Sequence, residues 1–420
     1  MTDYILKCWP RFGNYLALFE PFLGKPAQRH FRQFLMGFIL YLGTKNVTGL
    51  NRATFNPSHL SSLDRFLTEG TWDANHFDQI RMQHLNRQVR RFLDNQTAKN
   101  QSVPAFLCID DTNNPKVGDK TPWVGYQYSH LAGRNILCWC LVTAVMVVGH
   151  YTMPCSFRLY RLKADCEATG QPQLFRTKVE LAIQLIQEWQ PPVGTTPYVV
   201  VDNWYTSAAL LEACAAHHFT LIGGVKGNRT VLRTGQPGPQ KLNRLGPTLA
   251  QEAYQKVTIG KQTWHMAGLD VQLAGGCKVK LVASKALQPA KSKPSTLNYW
   301  VCTDTRLGVR TIMELYSVRW EIETFHKQAK QLLGLNHNQC RCERSITRLW
   351  TLLLLAHSYL MLERVEHSSD YQHSIGKELP SLGQVQREHQ RLGHQAMVEW
   401  SYAEASAGTP LAALLAQIRA

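Results

Sequence analysis

Two short apolar runs in this chain end in aspartate, and each is a place where chemistry could sit. Phe106-Leu107-Cys108-Ile109 leads into Asp110-Asp111-Thr112, and Tyr198-Val199-Val200-Val201 leads into Asp202. Carboxylates brought together at the ends of buried strands are costly to keep ionised, so such a pair holds a divalent cation or shares a proton. The donors are hard oxygens without a paired histidine. That set suits Mg²⁺, with Mn²⁺ as a substitute, better than Zn²⁺. A third acid lies in the stretch Tyr316-Ser-Val-Arg319-Trp320-Glu-Ile-Glu323-Thr-Phe325-His326-Lys327-Gln-Ala-Lys330. Read as one helix, it places Tyr316, Arg319, Glu323, Lys327 and Lys330 at steps of three or four on a single face. An acid among cations and a hydroxyl is a combination suited to a metal plus phosphate oxygens.

The elements that must position these groups alternate in type. After Asp111 come strand-like runs at 135–148 and 151–159, a helical segment at 178–189, the strand before Asp202, a helix at 208–217 and a strand at 220–225. Strands alternating with helices predict an α/β sheet whose functional groups gather at the carboxyl ends of its strands. Residues 226–296 change texture to Gly, Pro, Lys and Thr with short alternating strands, and read as a mainly β insertion. A core strand returns at 297–303, followed by a long helix from Thr311 and helical sequence to about 366. Residues 1–100 carry apolar positions at helical spacing, and their last helix is basic through Arg81, Arg87, Arg90 and Arg91. The expected organisation is a helical domain over 1–100, an α/β core in two parts over 101–225 and 297–366, the β-rich insertion over 226–296 between them, and a helical C-terminal tail over 367–420.

Composition narrows the partner. The 420 residues hold 46 Lys and Arg against 30 Asp and Glu, a formal net charge of +16. A surplus of this size attracts a polyanion, with nucleic acid the first candidate. Several of the 11 cysteines lie inside apolar runs such as Ile136-Leu137-Cys138-Trp139-Cys140-Leu141, where they read as small hydrophobes in a reducing cytoplasm. Cys340 and Cys342 lack a second pair at zinc-like spacing. No run in the sequence reads as the roughly 20 apolar residues of a membrane span, so no membrane partner is expected.

Tyr316, Arg319, Glu323 and Lys330 match, without a gap, the Tyr-x₂-Arg-x₃-Glu-x₆-Lys signature of bacterial insertion-sequence DDE transposases of the cut-and-paste type, and the chain resembles that family over roughly residues 100–365. Asp110-Asp111-Thr112, with Lys116-Val-Gly118 and Gly125-Tyr-Gln-Tyr128 after it, is also similar to one branch of the group. The resemblance implies a ribonuclease H-like mixed sheet flanked by helices, with a β insertion between the second Asp and the Glu. It implies a metal-binding triad of Asp110 or Asp111, then Asp202, then Glu323. The family's Asp-x-Thr pattern favours Asp110, alignment on hairpin-forming relatives favours Asp111, and Asp110 is preferred. Two Mg²⁺ ions about 4 Å apart would then serve strand cleavage and transfer of the 3′-OH.

Tyr316, Arg319, Lys327 and Lys330 would hold DNA phosphates. Tyr299 or Trp300 would meet a flipped base if hairpins form, and Arg87, Arg90 and Arg91 would contact DNA from the helical domain. The implied partners are double-stranded DNA (element terminal inverted repeats and target) and a second copy of the chain, in a bacterial cytoplasm on the nucleoid. Three other readings stand beside this one: a ribonuclease H-like nuclease without strand transfer, a catalytically silent DNA-binding regulator, and a zinc-binding regulator using His337, Cys340 and Cys342.

Overall fold

The computed structural model describes residues 2–52, 58–97, 102–119, 121–129, 132–233, 238–249, 253–259, 262–273, 275–285, 297–375 and 379–419. The chain divides into two compact units. One, here the helical unit, gathers residues 1–91, 114–139 and 324–420; the other, the sheet unit, gathers 92–113 and 140–323.

In chain order the strands are β1 (Val103–Pro115), β2 (Gly125–Ser129), β3 (Arg134–Val148), β4 (Tyr151–Tyr160), β5 (Thr195–Val201) and β6 (Thr220–Val225). They continue with β7 (Thr230–Arg233), β8 (Gln240–Lys241), β9 (Gln255–Ile259), β10 (Gln262–Leu273), β11 (Lys278–Lys285) and β12 (Asn298–Cys302). The sheet unit carries the order β3-β1-β5-β6-β12-β11-β10-β7-β8, with β4 on β3 and β9 on β10. β1, β5 and β6 run parallel, and β12 returns antiparallel to β6. This open mixed sheet is compatible with a ribonuclease H-like fold. The strands expected within 226–296 continue the same sheet through the antiparallel pairs β12–β11 and β11–β10.

Local chemistry explains these elements. The β-branched runs of β3 and β5 favour extended backbone, and Val145, Val148, Val199, Val200 and Val201 are buried in the core. β3 turns into β4 at Gly149, whose φ of +56° favours glycine. A Cβ there would also meet the ring of Phe92 at 2.6 Å. The helix Lys178–Glu188 starts with a capping box, in which the Thr177 hydroxyl accepts from the Glu180 N–H and Glu180 accepts from the Thr177 N–H. The next helix, Ala208–Ala216, is capped by Ser207. β12 splits its side chains between two cores. Tyr299 and Val301 pack with Leu242, Ala267 and Leu281, whereas Trp300 and Cys302 pack with Ile222, Met266 and Ile312.

Four sequence expectations are corrected. β1 does not end at the acids but runs through Asp110 and Asp111 to Pro115, because the short polar side chains after Ile109 still alternate between buried and open positions. The long helix from Thr311 is two helices, Val309–Ser317 and Trp320–Gln331. Between them the turn tightens, with the N–H of Arg319 donating to the Tyr316 carbonyl at 3.0 Å and that of Ile322 to Arg319 at 3.2 Å. Arg81 is fully buried rather than part of a basic face, ion-paired to Asp78 at 2.6 Å and bonded to Ser358. Finally, Glu343–Glu366 is long and apolar enough to cross a membrane by length and composition, and 94% of that window is buried inside the protein, as a core helix requires.

The helical unit is built on this core helix. Residues 382–406 form a further helix whose Gln386 amide donates to the carbonyls of Phe38 and Ile39 at 3.1 Å each. The last stretch of the chain is therefore bonded into the helical core and does not trail from it.

Candidate active site

Asp110 and Asp111 are neighbours on a strand, so their side chains leave opposite faces, and they meet different surroundings. Asp111 is fully engaged: Lys178 donates to Oδ2 at 2.8 Å, the Tyr205 hydroxyl to Oδ1 at 3.0 Å, and the Cys140 thiol to Oδ2 at 3.3 Å. Asp110 keeps more of its capacity open. Its Oδ1 accepts the Asp111 N–H at 2.8 Å, and its Oδ2 lies 3.4 Å from the Arg319 guanidinium. Burial first, then the charges of Asp202 and Asp111, push the Asp110 carboxyl up to about 7.

Asp202 follows the last residue of β5, and the parallel register Ile109↔Val201 makes it level with Asp110 on the adjacent strand. Its Oδ1 caps the turn that follows, accepting the N–H of Trp204 at 2.8 Å and of Tyr205 at 3.2 Å. Burial holds its carboxyl above the usual range, against the pull of those two N–H groups. Oδ2 takes no bond among the described residues.

The tightened turn before the helix Trp320–Gln331 sets Arg319 between acids: one guanidinium nitrogen meets Glu323 Oε1 at 2.5 Å and another faces Asp110. Its Nε is buried with no partner among the described residues. The guanidinium also lies 5.2 Å from the ring centroid of Trp320 and 5.9 Å from that of Tyr316. Of the two glutamates in Glu321-Ile-Glu323, Glu321 is taken by the Thr152 hydroxyl at 2.8 Å, which leaves Glu323 as the acid on the Arg319 side.

Among the described residues, no group of three or more His, Cys, Asp and Glu side chains could hold a metal ion. Asp202 is one of the charges that raise the Asp110 carboxyl, and Glu323 is linked to Asp110 through Arg319. The donor chemistry fits a hard divalent cation, since the open atoms are carboxylate oxygens and the nearest buried cation is an arginine.

Tyr316 is half-buried against Trp300, with ring centroids 5.9 Å apart. Burial raises its hydroxyl above the usual value. Tyr299 is a core residue, 4% exposed, with its hydroxyl on the Leu242 carbonyl at 2.9 Å. Trp204 is 56% exposed, with the Lys226 ammonium 4.6 Å from its ring centroid. Lys327 and Lys330 belong to the helical unit, as do Arg87, Arg90 and Arg91, which are exposed on the helix Ala74–Thr97. Cys340 and Cys342 have local partners: the Cys340 N–H donates to Asn338 at 2.7 Å, and the Cys342 thiol to Ser345 at 3.2 Å.

Sequence reading missed Lys178, Tyr205 and Cys140. One signal was available for Lys178, a cation in the first turn of a helix, where the macrodipole favours acids. Such a placement asks for a compensating partner, and Asp111 is that partner.

Level aspartates on neighbouring strands of an α/β sheet are compatible with a polynucleotide-cutting enzyme, and the comparison with known proteins gives the class. The family described as DDE superfamily endonuclease matches residues 18–268, more than half of the chain, and the chain belongs to that family. The match includes Asp110, Asp111 and Asp202 and stops before Glu323. A curated relative, the probable transposase for insertion sequence element IS701 of Microchaete diplosiphon, is 29% identical over 143 residues. That alignment covers 34% of this chain and 34% of the relative, so the chain spans about a third of the length of the curated protein it matches.

Proposed function

We propose that this endonuclease-family chain is a DNA transposase that cuts the ends of its own mobile element and joins the freed 3′-OH ends to target DNA. The observation that carries the reading is the level pairing of Asp110 and Asp202 on parallel neighbouring strands, with Arg319 tying Asp110 to Glu323. Asp110, Asp202 and Glu323 would hold Mg²⁺, or Mn²⁺ in its place. When bound, the cations polarise the scissile phosphodiester and lower the pKa of an attacking water. Asp111 has no role as a ligand in this reading, because its oxygens are committed to Lys178, Tyr205 and Cys140.

Arg319 sits where it can neutralise either the acids or a phosphate oxygen. Once cations satisfy the carboxylates, its guanidinium is free to turn to the DNA backbone, with the Tyr316 hydroxyl beside it. If hairpins form, Trp300 is the candidate stacking residue, since Tyr299 is spent in the core. Lys327 and Lys330 as phosphate contacts, and Arg87, Arg90 and Arg91 as DNA contacts, rest on their charge and helical spacing. Use of the protein as a dimer bridging two ends rests on family resemblance.

The test is incubation of the protein with labelled element ends, target DNA and Mg²⁺. The expected products are cleaved ends and end–target joints, both absent with Asp202→Ala or Glu323→Gln while end binding persists. Cleavage without joints would establish a plain nuclease. Binding with no Mg²⁺-dependent cleavage would establish a catalytically silent regulator.

A further inference from the structure

Tyr205 touches both acid-bearing segments at once. Its backbone N–H is one of the two donors to Asp202 Oδ1, at 3.2 Å, and its hydroxyl donates to Asp111 Oδ1 at 3.0 Å. The side chain is fully buried. On the other oxygen of Asp111 stands Lys178, at the start of the helix that precedes β5, with its ammonium 2.8 Å away. Lys178 and Asp111 are 17% and 22% exposed at their side chains, so the pair is largely withdrawn from water. The turn after Asp202 has further ties: the Thr206 hydroxyl donates to the Asp202 carbonyl at 3.1 Å, and Arg229 donates to the Thr206 carbonyl at 2.7 Å.

We propose that Asp111, Lys178 and Tyr205 form a brace that fixes the separation of Asp110 and Asp202, with the Lys178 ammonium offsetting part of the Asp111 charge beside that pair. All three are positioning residues. Two physical effects are combined. The Tyr205 hydroxyl bonds the turn carrying Asp202 to β1, so neither carboxylate can drift along its strand without breaking a buried bond to a charged group. The Lys178 ammonium, 2.8 Å from Asp111 Oδ2, offsets part of the charge of Asp111, which stands next to Asp110 on β1. Without the lysine, three carboxylates would crowd one corner of the sheet with Arg319 the cation facing Asp110. Groups of this kind, which hold ligands rather than bind the ion, affect metal affinity by about tenfold to a hundredfold when removed.

The inference rests on the reading of Asp110 and Asp202 as cation ligands, and the experiment separates the two. Mn²⁺ binding to the full chain is followed by electron paramagnetic resonance, with no DNA and no turnover, beside thermal unfolding of every variant. If the wild type binds no Mn²⁺ that Asp202→Ala abolishes, the ligand reading itself fails. If it does bind, Tyr205→Phe, which keeps the ring and loses only the hydroxyl, is expected to weaken Mn²⁺ about tenfold or more with near-normal melting. Lys178→Met is expected to do the same, with Lys178→Arg recovering most of the loss. Should Tyr205→Phe not fold, the Lys178 pair alone decides the matter. Wild-type Mn²⁺ affinity in folded Tyr205→Phe and Lys178→Met would overturn the brace. So would an Asp111→Asn variant that loses Mn²⁺ as completely as Asp110→Asn, because Asp111 would then be a ligand.

Discussion

Buried charge is handled in opposite ways in the two units. In the helical unit it is saturated. Arg348 donates to the carbonyls of Leu67, Gly70 and Trp72 at 3.0, 2.6 and 2.6 Å, and Glu363 is shared by Arg11 and Tyr371. Lys45 spends its ammonium on the carbonyls of Phe38 and Leu332. In the sheet unit Asp111 is saturated too, but Asp202 is bonded through one oxygen and Arg319 keeps a buried Nε with no partner among the described residues, beside Glu323, whose side chain is 39% exposed. A folded chain gains nothing from a buried polar atom with no partner. Unpartnered buried atoms also occur in the helical unit, at Trp9 Nε1 and His357 Nδ1 among the described residues, so the contrast is confined to charged groups, and we take those left open at the acid corner as available to something the protein binds.

The sharpest way to break that distinction is to remove one charge of each kind. Arg319→Met should lower cleavage of element ends by about a hundredfold or more, the scale set when a group that stabilises charge in a transition state is deleted. Its melting temperature should stay close to the wild type. Arg348→Met should do the reverse, costing about 3 kcal/mol of stability by leaving three carbonyls without their donor, with specific activity of the folded fraction retained. Chemical denaturation and single-turnover cleavage measure the two axes. Equal losses of stability and activity in both variants would erase the contrast.

The sequence makes the open charges easier to find than the saturated ones. Asp202 and Glu323 announce themselves because an acid at the end of a valine run, or among cations on a helix, has no local reason to be there. Arg81 was misread for the complementary reason. Asp78, three residues before it, lies on the same helix face and was legible, but Ser358 lies 277 residues away, where helical periodicity cannot see it. The order of strands and helices was legible because the switch from period two to period 3.6 is a local property. The break at Val318-Arg319 was not, since no glycine or proline marks it. The proposed preference for Asp110 over Asp111 rests on partners of Asp111 from β3, from the helix Lys178–Glu188 and from the turn after β5, which only the folded chain assembles.

A charge kept open should also carry a stability penalty, and Asp110 gives that idea a pH window. Its folded carboxyl titrates near about 7 against an ordinary 3.8. Between those values the folded state holds a proton that the unfolded state has released, so stability falls as pH rises through the window. Above the folded pKa the penalty is complete, and below the ordinary value it is absent. In chelator, wild-type stability should therefore drop by about 2 kcal/mol or more between pH 4.5 and 8 from this group. Asp110→Asn should flatten that slope and melt higher than wild type at pH 8, with cleavage lost. An unchanged slope would mean that Asp110 is as well satisfied as Glu363.

The smallest expected effect tests whether open capacity extends to aromatic surface. Trp204 is 56% exposed two residues beyond Asp202, while the turn beneath it is held by Asp202, by Thr206 and, through Thr206, by Arg229. A large ring kept rigid and solvent-facing, with the Lys226 ammonium 4.6 Å from its centroid, offers a stacking face and a phosphate partner together. Trp204→Ala should weaken binding of an element end with an unpaired terminal nucleotide by about 1–3 kcal/mol, and of a fully paired end by less. Since the ring is already in water, stability should hardly change. Equal weakening for paired and unpaired ends would instead assign Trp204 to the duplex backbone, and no weakening of either would make it ordinary surface.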